Sequence, residues 1–89
     1  YHAKLLCGPA HWIGPSPTLP LTCWARIRHG QALQECTVKR TQKDALFVGF
    51  KAQQRAITPG QSIVFYQGNR CYGGSIILAP ENKNHEARA

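Results

Sequence analysis

Methionine is absent from the 89 residues, and aspartate occurs once, at Asp44, among only four acidic side chains. A chain without methionine that opens on Tyr1 is expected to be an excised piece of a longer polypeptide. With so few acids, no close carboxylate pair for acid–base catalysis is evident. Long apolar runs are missing too: nothing approaches the roughly 20 residues of a membrane-spanning helix. The start lacks the charged-then-apolar order of a signal segment, so no membrane partner is expected. No helical stripe of useful length and no internal repeat is found. Neither "PGQ" nor "YGGS" is a phosphate loop, because the Lys-Ser or Lys-Thr ending and a following helix are both missing.

Positive charge is what the chain has in excess. Eleven Lys and Arg against four Asp and Glu leave a formal charge of +7, which raises the local concentration of polyanions, RNA first among them. A basic surface that only maintains solubility is the plainer reading. Cys7, Cys23, Cys36 and Cys71 allow three disulfide connectivities in a secreted protein. Nothing suggests secretion, and Cys23, Cys36 and Cys71 fall among apolar strand residues, where a free thiol acts as a small buried hydrophobe. Cys7 and His11 have the spacing of half a metal site, without a second pair. Arg70 precedes Cys71, but strand alternation sends the two side chains to opposite faces. His29 is a conceivable general base with no partner legible in the sequence.

Four of the six prolines lie in residues 1–20, at Pro9, Pro15, Pro17 and Pro20. This opening reads as irregular, with Trp12 and Ile13 able to pack down while Pro-x-Pro prevents a helix. From Leu21 the period becomes two: Leu21, Cys23, Ala25 and Ile27 point one way, Thr22, Trp24, Arg26 and Arg28 the other. After a turn at His29-Gly30, Leu33 to Arg40 is a second strand with Cys36 and Val38 inward. Thr41 to Asp44 is turn-like. Ala45 to Lys51 is a third strand, with Leu46, Val48 and Phe50 on one face, and Gln53 to Thr58 a short fourth. Pro59-Gly60 fits the centre of a type II turn. Gln61–Gln67 and Arg70–Leu78 then form a hairpin about Gly68-Asn69. Gly73-Gly74 predicts a bulge, a bend or a close backbone neighbour. The expected division is an irregular Pro-rich segment over 1–20, a β-barrel over 21–80 and a polar, fraying tail over 81–89. The fold class is all-β, a small antiparallel barrel of five or six strands, with a two-sheet sandwich as the structural alternative.

The face bearing Trp24, Arg26 and Arg28 is the best candidate site. Guanidinium groups two residues apart on one strand project together, roughly 7 Å from each other, near the spacing of successive phosphates, and Trp24 offers a stacking surface. The competing reading has Trp24 packed under a terminal segment and the arginines merely solvated.

Four stretches, "HWIG" (11–14), "ARIRHGQ" (25–31), "ITPGQSIVFYQG" (57–68) and "CYGGSII" (71–77), resemble the C-terminal domain of the tRNA-specific 2-thiouridylases, the MnmA/TrmU type, in order and spacing. The resemblance covers about residues 10–80. It implies a barrel like those of translation factors, in a cytoplasmic transferase that uses ATP with Mg to activate the wobble uridine of certain tRNAs. Sulfur from a donor protein then replaces the 2-oxygen through cysteine persulfide chemistry. The Ser-Gly-Gly-x-Asp-Ser loop and the catalytic cysteines of that family belong to an upstream domain, so the cysteines here inherit no catalytic role. No catalytic residue, metal or cofactor is expected within the 89 residues. Partners implied are tRNA, the upstream catalytic and central domains of the same chain, and the sulfur donor. The residues carried over as RNA-facing are Arg26, Arg28 and Gln31, with Lys39 and Arg40 as weaker electrostatic contributors. Gly30 stands where the family commonly has a third basic residue, and Ser75 replaces the last glycine of a Gly-Gly-Gly run. The alternative is a non-catalytic structural or protein-interaction barrel, docking through Trp12, Trp24 and the Pro-rich segment, whose charge is incidental.

Overall fold

The structure, a computed structural model, describes residues 2–28, 30–41 and 44–81. Its elements are all strands: β1 (His2–Cys7), β2 (His11–Trp12), β3 (Leu21–Arg26), β4 (Gln34–Arg40), β5 (Leu46–Gln54), β6 (Ser62–Gln67) and β7 (Arg70–Glu81). Every pairing is antiparallel, in the order β1-β5-β4-β3-β6-β7, and a β1–β7 ladder closes the ring while β2 adds to β7. Six strands therefore form a closed barrel, and closure leaves none of those six an open edge. Alternate side chains fill the interior, as a barrel of this size requires. Leu5, Cys7, Cys23, Ala25, Cys36, Val38, Val48, Ile63, Phe65 and Ile77 are all at most 2% exposed.

Two expectations change here. Residues 1–20 are irregular only in part: β1 lies inside the predicted loop-like segment and is a wall of the barrel, with Leu5 paired to Val48 on one side and Pro80 on the other. Six residues ahead of a proline cluster carry too short an alternation to be read as a strand, and only the long-range partners β5 and β7 hold it there. The fourth strand expected over Gln53–Thr58 does not form. β5 runs on to Gln54, and Ala56 then takes φ 56°, which takes the backbone out of the extended region. The general-base candidate His29, part of the Thr41–Asp44 turn, and the tail beyond Glu81 lie outside the described residues.

The turns follow their chemistry. Gln61 N–H donates to the Thr58 carbonyl at 3.2 Å across Pro59-Gly60, and Gly60 has φ 92°, as a type II turn needs. Gly68, at φ 60°, is the first central residue of the β6–β7 hairpin. That is the glycine position of a type II′ turn. Gly73 and Gly74 show two of the anticipated features, a bulge and a close backbone neighbour. The β6–β7 register shifts between Phe65 and Tyr66, and β2 lies across the pair, with His11 opposite Gly74 and Trp12 opposite Gly73. Trp12 packs its ring 5.8 Å from that of Phe65, centroid to centroid. Ser75, the departure from a triple glycine, turns inward and donates a buried 2.7 Å hydrogen bond to the Gly8 carbonyl, fastening β7 to the segment after β1.

Cys23 and Cys36 face each other across β3 and β4 with sulfurs 3.8 Å apart, as free thiols. Their shared hydrogen bond pulls the Cys23 thiol down against the opposing effect of burial, while the same bond and burial push Cys36 up. Burial alone pushes Cys7 up to about 12. Cys71 differs from the expected buried hydrophobe: it is half-buried and lines an outer groove.

Candidate nucleic-acid interface

The outward side chains of β3 and β6 make the candidate surface. Trp24 stands directly opposite Tyr66, and Arg26 opposite Val64, because Ala25 and Phe65 between them point into the core. Trp24 is 43% exposed, which argues against its burial beneath a terminal segment. The Arg26 guanidinium lies 5.3 Å from the centre of the Tyr66 ring. Such a contact holds a cation over an aromatic face without consuming its N–H donors. Its Nε–H is buried and meets no acceptor among the described residues. Tyr66 was not singled out from sequence. Only the β3–β6 register sets it beside Trp24 and beneath Arg26.

Arg28 does not extend that face. β3 ends at Arg26, and the chain bends through Ile27 and Arg28 toward a turn in which Gln31 N–H donates to the Arg28 carbonyl at 3.1 Å and Gly30 has φ 84°. The two arginines therefore do not share one strand's spacing. Arg28 instead donates through Nη2 to the Arg55 carbonyl. Among the described residues, Arg40 pairs with Asp44 and Lys51 with Glu35, and no carboxylate holds Arg26 or Arg28.

Gln31 spends both ends of its amide inside the protein. Its Oε1 accepts from Ile27 N–H at 2.9 Å and its Nε2 donates to Gln54 Oε1 at 2.8 Å. Gln54, 4% exposed, is in turn tied to the Ala52 carbonyl at 2.9 Å. Gln31 thus fixes the turn that carries Arg28. Lys39 and Arg40 lie away from Trp24. Lys39 is on the β5 side of β4, opposite Phe47, and Arg40 makes an exposed 3.4 Å pair with Asp44, of the kind that contributes little to stability.

A second outer surface is apolar. Ile13, Ile76 and Leu78 are 59%, 48% and 48% exposed, and with Val64 and Cys71 they line a groove of about 600 Å³ along β6 and β7. No group of three or more His, Cys, Asp or Glu among the described residues is arranged to hold a metal ion.

The aminomethyltransferase beta-barrel domain family model matches residues 2–77. The chain is 51% identical over 77 residues to the tRNA-specific 2-thiouridylase MnmA of Ruthia magnifica subsp. Calyptogena magnifica, which covers 86% of this chain and 21% of the relative. It is 45% identical over 80 residues to the protein of that name from Protochlamydia amoebophila (strain UWE25), covering 90% and 21%. With that from Coxiella burnetii (strain RSA 493 / Nine Mile phase I) it shares 51% over 78 residues, covering 86% and 22%. The chain spans about a fifth of the length of these relatives. A closed barrel, a family match over nearly all of it and this degree of identity agree: the chain belongs to the aminomethyltransferase beta-barrel domain family, as the C-terminal barrel of the tRNA-specific 2-thiouridylases.

Proposed function

We propose that this barrel is the tRNA-binding accessory domain of an ATP-dependent tRNA-uridine 2-sulfurtransferase that makes 2-thiouridine at the wobble position, with no catalysis of its own. The observation that carries this reading is the outward Trp24–Tyr66–Arg26 cluster, an aromatic platform and a cation with unspent donors. In this role Trp24 stacks on an unpaired base. Arg26, held over Tyr66, and Arg28, set by the Gln31 turn, contact phosphates, while Lys39 and Arg40 add to the field that attracts the RNA. ATP, Mg and the sulfur donor are handled by the rest of the parent chain. Four free cysteines suit a reducing, cytoplasmic setting. In the parent enzyme, Trp24→Ala is expected to weaken tRNA binding by about 1–3 kcal/mol, or roughly 5- to 150-fold, with the salt dependence kept. Equal affinity in a filter-binding titration would remove Trp24 from the interface and the cluster with it.

The apolar groove supports an additional docking role. A patch with three large exposed aliphatic side chains is more than scattered surface apolarity, and the relatives carry about four-fifths of their length outside this domain. We assign the groove to the remainder of the parent chain. Cys71 reports on it: in the parent enzyme its alkylation, followed by peptide mass spectrometry, should be slow, and Ile76→Asp with Leu78→Asp should speed it at least tenfold. The same rate in both proteins would mean that nothing covers the groove.

A further inference from the structure

Three glycines lie within β5 and β7, and the fold demands only two of them. Gly73 has φ 142° and backbone atoms of β2 against it, and a Cβ on Gly74 would sit 2.8 Å from the Ile63 carbonyl oxygen. Gly49, in the middle of β5, has neither constraint: its φ lies outside the left-handed region, and an added Cβ would meet no atom within 4 Å. A strand glycine forfeits side-chain packing and often marks a place where a ligand comes close to the backbone. What surrounds Gly49 is basic. Lys4 of β1 and Thr37 of β4 pair with it directly, Lys39 stands opposite Phe47, and Lys51 follows on the same outer face of β5. Together they ring a hollow of about 430 Å³ floored by Phe47, in which Glu35, 3.9 Å from Lys51 Nζ, is the acid.

We propose that this hollow seats a phosphate of an RNA backbone, with Lys4, Lys39 and Lys51 as its cationic rim. The inference rests on the RNA-binding reading above and gives the domain a second contact wall, since β5 lies across the ring from β6. A row of paired residues joins the walls: Tyr66 faces Trp24, Trp24 faces Glu35, and Glu35 reaches Lys51. The chemistry favours phosphate over an acidic peptide. The rim is lysine, whose ammonium groups act as point charges able to meet a tetrahedral phosphate from several sides, and the polyanion already assigned to the barrel supplies phosphates. The bare backbone at Gly49 lets a bulky tetrahedral group come down to the strand.

The test is tRNA binding by the parent enzyme between 50 and 200 mM salt. Lys4→Gln with Lys51→Gln should lower the slope of log K against log salt by about 0.7 to 0.9, the share of one phosphate, shrinking the affinity change across that range roughly threefold. Gly49→Val alters no charge and suits a strand. It should weaken binding several-fold at 50 mM and flatten the slope, while the thermal midpoint stays level or rises. A Gly49→Val enzyme that keeps both affinity and slope overturns the site, even if the lysine pair acts, because the charges then work only through the general field. If instead Gly49→Val loses its fold, Gly49→Ala and the lysine pair decide by the same slopes. A changed slope in an Arg26→Gln, Arg28→Gln enzyme with none in the hollow variants would sink this proposal alone. No change in any of them would sink the RNA-binding reading itself.

Discussion

Gly73→Ala is expected to unfold the barrel, or to lower its thermal midpoint by 20 °C or more. At φ 142° the backbone occupies a region closed to L side chains, and the new Cβ would lie 2.2 Å from the His11 carbonyl oxygen and 2.9 Å from the Trp12 Cα. Neither neighbour is the yielding end of a side chain; both are backbone. Relief requires β2 to lift from β7, which withdraws Trp12 from Phe65, a fully buried ring. Backbone strain of about 1–3 kcal/mol adds to overpacking of about 1–3 kcal/mol and to the packing lost at Trp12. The sum is a large part of the roughly 5–15 kcal/mol that holds a domain together. Each kcal/mol corresponds to about 4–8 °C in a domain of this size. Gly49→Ala is the control, with nothing to clash, and should melt within a few degrees of the native barrel. A Gly73→Ala protein that does the same would show that β2 is not seated on the glycine pair.

In the parent enzyme, Arg26→Gln combined with Arg28→Gln is expected to reduce tRNA affinity at least tenfold at 50 mM salt, with the deficit closing as salt rises. Two phosphate contacts release about two counterions, which contributes about 1.4 to 1.8 to the salt slope. The arginines differ in how they are held. Arg26 lies over Tyr66, so its loss also removes a cation–π contact of about 0.5–1 kcal/mol. Arg28 is tied to the Arg55 carbonyl and presents its remaining donors from the turn that Gln31 braces. Gln31→Ala should therefore reproduce part of the Arg28 effect without altering charge. Arg40→Gln serves as the comparison, since its partner Asp44 already offsets it in an exposed pair. A double variant with native affinity and slope across the salt series would take this wall out of RNA binding.

Much of the candidate site was legible, and the misses share one cause. The outward placement of Trp24 and Arg26 is legible because they alternate with core residues on one strand, a local property. The same period extended past Arg26 puts Arg28 on that face, but the turn closed by Gly30 ends the strand first. Gln31 matched a family motif, yet its amide is engaged by Ile27 and by Gln54, a residue 23 positions away. Tyr66, Lys4 and Lys51 gave no local signal, since their proximity to Trp24 or Gly49 depends on which strands pair and in what register.

By itself the sequence determined the period-two pattern, the inward set from Cys23 to Phe50, the two turns built on Pro59-Gly60 and Gly68-Asn69, and an excess of cations. These are short-range consequences of steric preference and apolar burial, readable one segment at a time. Only the tertiary structure decided that His2–Cys7 closes the ring, that β2 lies on Gly73 and Gly74, and that three lysines from three strands surround Gly49. Ladder hydrogen bonds join residues far apart in the chain. Which side chains become neighbours is therefore set by the closure of the barrel as a whole.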